Sequence, residues 1–330
     1  MSTILITGAA GFIGSHLTAA CVAGGHEVHV ILRPASSARR LRPLGAALTR
    51  HYLDLRSEDD LRDCIRNTAP EIVFHLAGEP RRAKTPDFQD AVAAGEDVQC
   101  MVRLLRILSS ARWPPRVFIR SGSLAEYGAA ETPYSEDMRE QPLTAYGAGM
   151  VAGTHFAAVL QPRLPFRIAT ARLALVYGPD QSTDYLIPFL IERCLDGLPS
   201  AVHRPDDRRD LIHVDDAVAG LLRLAEVELP GAAIVNLASG VAPSMRDVTK
   251  LVTEAAGASP DIVKMASEQP ANGAALLLGS AERARALLGW TARTPIADGI
   301  NATVAWYRAC LVDEPDIPVG AERQWHHAEG

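Results

Sequence analysis

The sequence predicts an α/β chain organised around a doubly wound parallel sheet, and three observations predict it. Short apolar runs alternate with segments of helical periodicity through the first half of the chain, the pattern of strands joined by right-handed helical crossovers. The first run, Ile4-Leu5-Ile6, feeds directly into Gly8-x-x-Gly11-x-x-Gly14 and then into a helix-period segment from Leu17 to Val22. Small and hydroxyl-bearing residues gather where later runs end, at Leu76-Ala77-Gly78 and at Ser121-Gly122-Ser123. The carboxyl ends of parallel strands are where such sheets bind their ligands.

Whole-chain properties narrow the function classes. A length of 330 residues fits one large or two fused domains. The net charge of −6 argues against a nucleic-acid partner. Hydrophobic residues make up 48% of the chain, yet no apolar run approaches the length of a membrane span, so no membrane partner is expected. Met1-Ser2-Thr3 carries neither a basic region nor a cleavage-type sequence, so no signal peptide is expected. The five cysteines, Cys21, Cys64, Cys100, Cys194 and Cys310, are scattered and no pair has metal-ligand spacing. They read as reduced thiols of a cytoplasmic protein without a metal site.

Each element in turn has a reason. In the first turn the strand must reverse tightly into a helix, the backbone must approach a diphosphate, and the helix must lie close to the strand; glycine permits all three. The helix start adds free N–H groups and a positive dipole end. In this strand-to-helix context the motif predicts dinucleotide binding, with Gly8, Ala10, Gly11, Phe12, Ile13 and Gly14 as candidate contacts. Gly24-Gly25 closes the helix. Val28 to Leu32 is the second strand. An acid at its end would accept from the adenosine ribose hydroxyls and select NAD, whereas an arginine suits a 2′-phosphate. Here Leu32 is followed by Arg33, with Arg39 and Arg40 close behind, which favours NADP over NAD unless these arginines are simply a solvated loop.

A third strand is expected over residues 47–52, followed by Asp54-Leu55. Asp54 either accepts from the adenine amino group or caps the helix expected from Glu58 to Asn67. The fourth strand runs from Pro70 to Gly78; Leu76, Ala77 and Gly78 leave room for a coenzyme, and His75 reads as a buried, hydrogen-bonded histidine. Residues 80–90 look polar and irregular, residues 92–108 form a long helix, and Pro114-Pro115 precedes a fifth strand at Val117 to Ile119. Ser121 and Ser123 follow it, and Tyr146 opens the next helical segment. A Ser/Tyr pair in one cleft suits hydride chemistry at a carbonyl: tyrosine moves the proton and serine hydrogen-bonds the oxygen.

The ordered set of motifs resembles the extended short-chain dehydrogenase/reductases of the nucleotide-sugar epimerase/dehydratase group. It comprises Thr7-Gly8-x-x-Gly11-x-x-Gly14, Asp54-Leu55, His75-Leu76-Ala77-Gly78, Ser121-Gly122-Ser123-x-x-Glu126-Tyr127-Gly128 and Tyr146-Gly147. It continues through Arg172-Leu173-x-x-Val176-Tyr177-Gly178-Pro179, Arg209-Asp210-Leu211-Ile212-His213-Val214-Asp215-Asp216 and Leu288-Gly289-Trp290, nearly the full chain. The resemblance implies a Rossmann-type sheet with a smaller, discontinuous C-terminal substrate domain. It makes Ser123 and Tyr146 the catalytic hydroxyls, with Ser121 and Tyr146 also facing the coenzyme. Val176 to Pro179, Tyr177 included, would line the nicotinamide end. Arg209 would clamp a nucleotide diphosphate, with Ser123 and Glu126 as further substrate contacts. A homodimer through two helices of the large domain is also implied.

Three departures qualify the resemblance. The family's Tyr-x-x-x-Lys is Tyr146-Gly147-Ala148-Gly149-Met150 here. That lysine holds the nicotinamide ribose and lowers the tyrosine pKa. A cation about 5 Å away at an effective dielectric near 20 contributes roughly 3 kcal/mol, or about two pKa units, and Met150 cannot supply it. Arg120 and the oxidised nicotinamide ring are the candidate replacements. Leu175 stands where relatives often carry Asn, so substrate placement is expected to differ. Leu124-Ala125 replace the Asp-Glu pair of the 4,6-dehydratase branch, which argues against that elimination.

In the second half, helices are expected over residues 184–197, 217–226, 245–256, 281–288 and 296–308, with a strand at Ile234 to Ala238. Asp216 reads first as a helix cap and Ser244 as another. The dinucleotide domain is expected to comprise residues 1–175 with about 211–240 and 296–310. Residues of about 176–210 and 241–295 would form the substrate domain, and 313–330 a polar tail. The expected function is NADP- or NAD-dependent hydride transfer on a nucleotide-diphosphate sugar, by a keto-sugar reductase or an epimerase. Two alternatives remain: a cofactor-binding protein with impaired redox activity, and a non-redox isomerase or eliminase using Tyr146 as base.

Overall fold

The computed structural model describes residues 1–78, 88–266 and 275–313. The first half runs β1 (Thr3–Thr7), α1 (Phe12–Ala23), β2 (Glu27–Leu32), β3 (Thr49–Tyr52), α2 (Glu58–Thr68), β4 (Ile72–His75), α3 (Phe88–Ser109), β5 (Val117–Ser123), α4 (Ala145–Leu160) and β6 (Arg167–Leu173). There follow β7 (Leu175–Tyr177), α5 (Leu186–Leu195), β8 (Ser200–Val202), β9 (Arg208–Arg209), β10 (Leu211–His213), α6 (Val214–Glu226) and β11 (Ala233–Leu237). The described chain ends with α7 (Met245–Ala256), β12 (Val263–Met265), β13 (Leu276–Leu277), α8 (Glu282–Leu288) and α9 (Ile296–Asp313).

Seven strands form one parallel sheet in the order β11-β6-β5-β4-β1-β2-β3, the doubly wound Rossmann arrangement. Its strands are apolar at consecutive positions because both faces are covered. Ile4 and Ile6 of β1 point to the face packed by Leu17 of α1 and Leu221 of α6, where a large core forms. Leu5, between them, points to the opposite face and packs with Leu104, Leu105 and Leu108 of α3 and Ala157 of α4. The alternation follows from the strand's period of two.

A third core joins Leu190 and Ile191 of α5, Val248 and Val252 of α7, and Ile300, Val304 and Tyr307 of α9. This corrects the expectation that residues 296–310 complete the sheet domain: α9 packs chiefly on α7, α5 and β10. Its apolar face has the right period, but periodicity does not say which layer receives it.

Other boundaries shift for local reasons. Residues 88–90, expected to be irregular, are the first turn of α3, and 79–87 lie outside the described residues, as do 314–330 of the expected tail. α6 begins at Val214, and its cap is the His213 side chain, whose Nδ1 accepts from Asp215 N at 3.4 Å. The Asp216 carboxylate instead accepts from Arg293 N at 3.1 Å and Thr294 N at 2.9 Å, fixing the approach to α9. Ser244 caps α7 as expected, in a reciprocal pair with Asp247. His75 is buried and bonded to Thr7 Oγ1 at 2.8 Å. Burial and the nearby Arg120 depress its pKa to about 3, so the ring is neutral.

Asp210, 1% exposed, pins the second half together. Its carboxylate accepts from Ser239 N at 2.8 Å, Ser239 Oγ at 2.6 Å, Gly240 N at 3.1 Å and Gly279 N at 3.2 Å. Asp210→Ala strands these donors, and each unmet buried donor costs about 1–3 kcal/mol. We expect this variant to lose about 3 kcal/mol or more of unfolding free energy, read as a lower urea midpoint; an unchanged midpoint refutes the pinning role.

Candidate active site

The glycine-rich turn divides its work among three residues. Gly8 has φ +74°, and a Cβ there would lie 2.5 Å from the Leu76 carbonyl and 2.6 Å from Ala77 N. The end of β4 therefore lies against the end of β1. A Cβ on Gly14 would lie 2.1 Å from Gly8 O, so α1 rises tight against the turn. Gly11 is exposed and caps α1 without a side chain, and the first turn of that helix carries no acid. Its N–H groups and positive dipole end are thus left for an anion. Ala10, Phe12 and Ile13 are partly buried around it. This cradle fits the diphosphate of a dinucleotide.

Arg33 is exposed just past the end of β2. Arg40 is not a solvated loop residue: it donates to Asp180 O from Nη2 at 2.9 Å and Nε at 3.1 Å, and to Ala10 O in the glycine turn at 3.4 Å. Arg39 pairs with the Asp180 carboxylate. His16 Nε2 lies 3.0 Å from Pro179 O, and Tyr307 donates to Gln181 O. The turn 178–181 is thereby laced to α1 and to the segment after β2. Asp54 does not cap α2. Arg56 binds its carboxylate from Nη2 at 2.7 Å and Nε at 3.0 Å, holding it below the usual range, while Ser57 stands at the N-cap of α2.

Ser123 ends β5, and its Oγ accepts from Ala125 N at 3.1 Å. Tyr146 lies in the first turn of α4, which Thr144 caps through Gly147 N at 3.0 Å. A Cβ on Gly147 would lie 2.6 Å from Ala125 O, so the helix start presses on the turn after β5. That close approach sets the Tyr146 side chain beside Ser123, whose hydroxyl favours the ionised phenol. Burial pushes the Tyr146 pKa to about 12, helped by Tyr185 and Glu126; Ser123 and the Arg120 guanidinium pull the other way.

Arg120, 4% exposed, was the group least visible as functional. It donates to Thr154 Oγ1 at 2.7 Å and to Met150 O at 3.2 Å, and lies 3.8 Å from Met150 Sδ. An arginine inside an apolar strand was the available signal, since a buried charge must find partners. Glu126 is corrected as a substrate contact: it is fully buried. Its carboxylate accepts from Ser123 N at 3.1 Å, Thr154 Oγ1 at 2.7 Å and Arg172 Nε at 2.8 Å. Arg172 also donates to Glu140 at 2.6 Å. Tyr177 is corrected likewise. Its ring is 2% exposed in the third core, and a Cβ on Gly299 would lie 2.1 Å from its hydroxyl, so only its backbone is left to line a site.

A cavity of about 380 Å³ lies between β7, α5 and the β8–β10 segment, lined by Gln181, Tyr185, His203, Arg204 and Arg209 among others. Arg209 donates to Asp207 at 2.5 Å and to Ala275 O at 3.0 Å. Arg204 shares the same carboxylate, so two guanidinium groups face one acid and the wall keeps a positive excess. Leu76, Ala77 and Ser121 are partly buried at their strand ends, and Gly78 and Leu55 border the same side.

Comparison with known proteins follows this geometry. The description "NAD dependent epimerase/dehydratase family" matches residues 4–238. The UDP-glucose 4-epimerase of Mycolicibacterium smegmatis is 31% identical, over 92% of this chain and 98% of that one. A dTDP-glucose 4,6-dehydratase of Actinoplanes sp. is 26% identical, over 93% and 98%. The structure of MoeE5 in complex with UDP-glucuronic acid and NAD superposes with a TM-score of 0.81 at 30% identity, covering 93% of this chain and 99% of that one. With its sheet order, its glycine cradle and most of its length in common with them, the chain belongs to the NAD-dependent epimerase/dehydratase family.

Proposed function

We propose that this chain catalyses oxidation and reduction at a ring carbon of a nucleotide-diphosphate sugar, as an epimerase or a keto-sugar reductase. The observation that carries the reading is the placement of Ser123 at the carboxyl end of β5 and of Tyr146 in the first turn of α4, which presses on the turn after β5. A nicotinamide coenzyme, when bound, supplies the acceptor and donor of hydride. The chain's own groups do the rest. Gly8, Gly11, Gly14 and the start of α1 hold a diphosphate. Tyr146 exchanges a proton with the sugar oxygen, and Ser123 fixes that oxygen. Arg209 and Arg204 attract the substrate diphosphate, and the 380 Å³ cavity beside them takes the nucleoside. Dehydration fits poorly, because Leu124-Ala125 offer no acid or base next to Ser123. The UDP-sugar relatives make UDP-hexoses the first substrates to test.

Three finer readings go with it. We infer NADP as the coenzyme, since β2 ends without a carboxylate and Arg33 stands free beside it; the structure of the similar MoeE5 holds NAD, so both are to be compared. We infer a homodimer through α3 and α4. A surface cavity of about 730 Å³ runs between them, lined by Ala91, Ala94, Val98, Ala148, Ala152 and Phe156. Val92 is 57% exposed, Phe156 48% and Val159 64%, an apolar face that a second copy would cover. The five cysteines form no disulfide, the usual state of thiols in a reducing compartment, and from that we infer a cytoplasmic location.

Tyr146→Phe should lower kcat/KM about 10²–10⁴-fold with UDP-hexoses, followed by coenzyme absorbance and by sugar analysis; retention of wild-type turnover overturns the mechanism. Because the tyrosine must be ionised to take a proton, and burial raises its pKa to about 12, kcat/KM for oxidation should climb about tenfold per pH unit above neutrality, while reduction stays flat. Arg33→Ala should weaken NADPH binding about tenfold and leave NADH unchanged, measured by calorimetry. Phe156→Glu should convert a dimer into a monomer in sedimentation experiments; a wild-type monomer refutes that interface.

A further inference from the structure

We propose that Arg120, reaching α4 from the sheet, supplies the fixed positive charge that activates Tyr146 in place of the lysine the resemblance puts at Met150. The inference rests on Tyr146 being the acid/base and deepens that reading. Met150 lies one turn along α4 from Tyr146, and the Arg120 guanidinium is seated on that turn. It donates to Met150 O at 3.2 Å, to Thr154 Oγ1 at 2.7 Å, and touches Met150 Sδ at 3.8 Å. The helix is shaped for it: a Cβ on Gly153 would lie 2.6 Å from Arg120 Nη2 and 3.0 Å from Cζ. No residue but glycine leaves that seat open. The guanidinium thus reaches from β5 the turn of α4 on which the family's lysine is carried, and it touches the methionine that stands in that lysine's place.

Among the described residues, these charged and titratable groups face the pair. From β5 and the turn after it, Ser123 and Glu126 face Tyr146; Tyr185 faces it from the segment before α5. Arg120 itself faces Glu126, Arg172 and Tyr146, and His75 of β4 lies beside it and is neutral. Glu126, engaged by Arg172 Nε and Thr154 Oγ1, pushes Tyr146 up by more than Arg120 pulls it down, so the role of Arg120 is to hold the tyrosine below where burial and Glu126 alone would leave it. Arg120 and Tyr146 are electrostatically linked in both directions: each favours the charged form of the other. Arg120 is a positioning residue, acting through Tyr146 and not on the substrate.

The test is a charge transfer between two positions. Arg120→Gln keeps a hydrogen-bond donor and removes the charge; Arg120→Lys keeps the charge. Tyr146 ionisation is read directly by ultraviolet difference titration, with Tyr146→Phe as the blank, and the pH profile of oxidation is read beside it. For Arg120→Gln we expect the Tyr146 titration and the rising limb of kcat/KM to move up by about one pH unit, with about tenfold lower activity near neutrality. Arg120→Lys should stay near wild type. Arg120→Gln combined with Met150→Lys, which returns the charge to the helix, should bring both readouts back. A folded Arg120→Gln whose Tyr146 titration does not move overturns the proposal. So does a double variant that folds but stays shifted. Should Arg120→Gln not fold alone, the double variant and Arg120→Lys decide the same point. Wild-type turnover in Tyr146→Phe is a separate outcome, and it sinks the underlying mechanism instead.

Discussion

A carboxylate that sees no water organises the reactive end of this protein. Glu126 accepts from the backbone of Ser123, from Thr154 on α4 and from Arg172 on β6. One buried charge thus fixes three elements relative to one another. Ser123 leaves β5 at a set angle, α4 is held at a set height, and the neighbouring strand contributes the counter-charge. Gly122 keeps the space clear, since a Cβ there would lie 2.4 Å from Glu126 Oε1. Burying charges in this way is costly unless every lone pair is met. Here Arg120 and Arg172 stand against Glu126 and Glu140, so the group is balanced in formal charge. Arg172 also lies 4.5 Å over the Tyr127 ring, which adds a cation–π contact. Removing any single member leaves an unpaired charge in a dry place, and that asymmetry makes the geometry stiff.

How far the sequence revealed this differs from element to element. The glycine cradle was legible because its requirement is a backbone one: the absence of a side chain is written in the sequence. The sheet was legible because strands buried on both faces must be apolar at successive positions, as Ile4-Leu5-Ile6 are. The cleft pairing Ser123 with Tyr146 was reached from chemistry and from the resemblance together. Glu126 and Tyr177 were misplaced for one reason. Each sits next to functional positions along the chain, but the fold turns its side chain inward, Glu126 by bonding back to Ser123 N from a 3-10 turn and Tyr177 by packing into the third core, and a motif does not say which members face the ligand. Arg120 was named only as a possible replacement, because its meaning depends on Gly153 and Thr154, which adjoin it only after folding. The destination of α9 was hidden similarly: an amphipathic helix declares that it needs a partner, not which one.

The turn 178–181 shows how the two halves of the molecule are kept in register. It leaves β7, part of the substrate side, yet its carbonyls and carboxylate are held by His16 of α1 and by Arg39 and Arg40 from the segment after β2. Asp180 adopts φ +61°, an uncommon backbone state for a residue other than glycine, and its arginine partners compensate for that cost. Asp210 and Asp216 work in the same manner elsewhere, each carboxylate collecting backbone N–H groups from segments far apart in sequence. These acids act as fasteners between segments far apart in sequence.

Taking the activating charge from a strand instead of from α4 has a consequence for coenzyme binding. An arginine is the better choice for charge alone: burial readily strips a proton from lysine, while a guanidinium stays ionised. Its fork also ties the helix at two points, the Met150 carbonyl and the Thr154 hydroxyl. What it cannot do from beneath the helix is what the family's lysine also does, which is to hold the nicotinamide ribose. That contact, a charge-assisted hydrogen bond of roughly 1.5–3 kcal/mol, has to be recovered elsewhere if affinity is to be kept. At the adenosine end Arg33 lies exposed beside the cradle, while Arg39 and Arg40 are engaged with Asp180 in the 178–181 turn. On this argument the electrostatic hold on the coenzyme has moved from the reacting end to the far end. Under the proposed function the nicotinamide ring would be positioned by shape and by Ser123 and Tyr146, and Arg33 would be the charge left to hold the far end of the coenzyme.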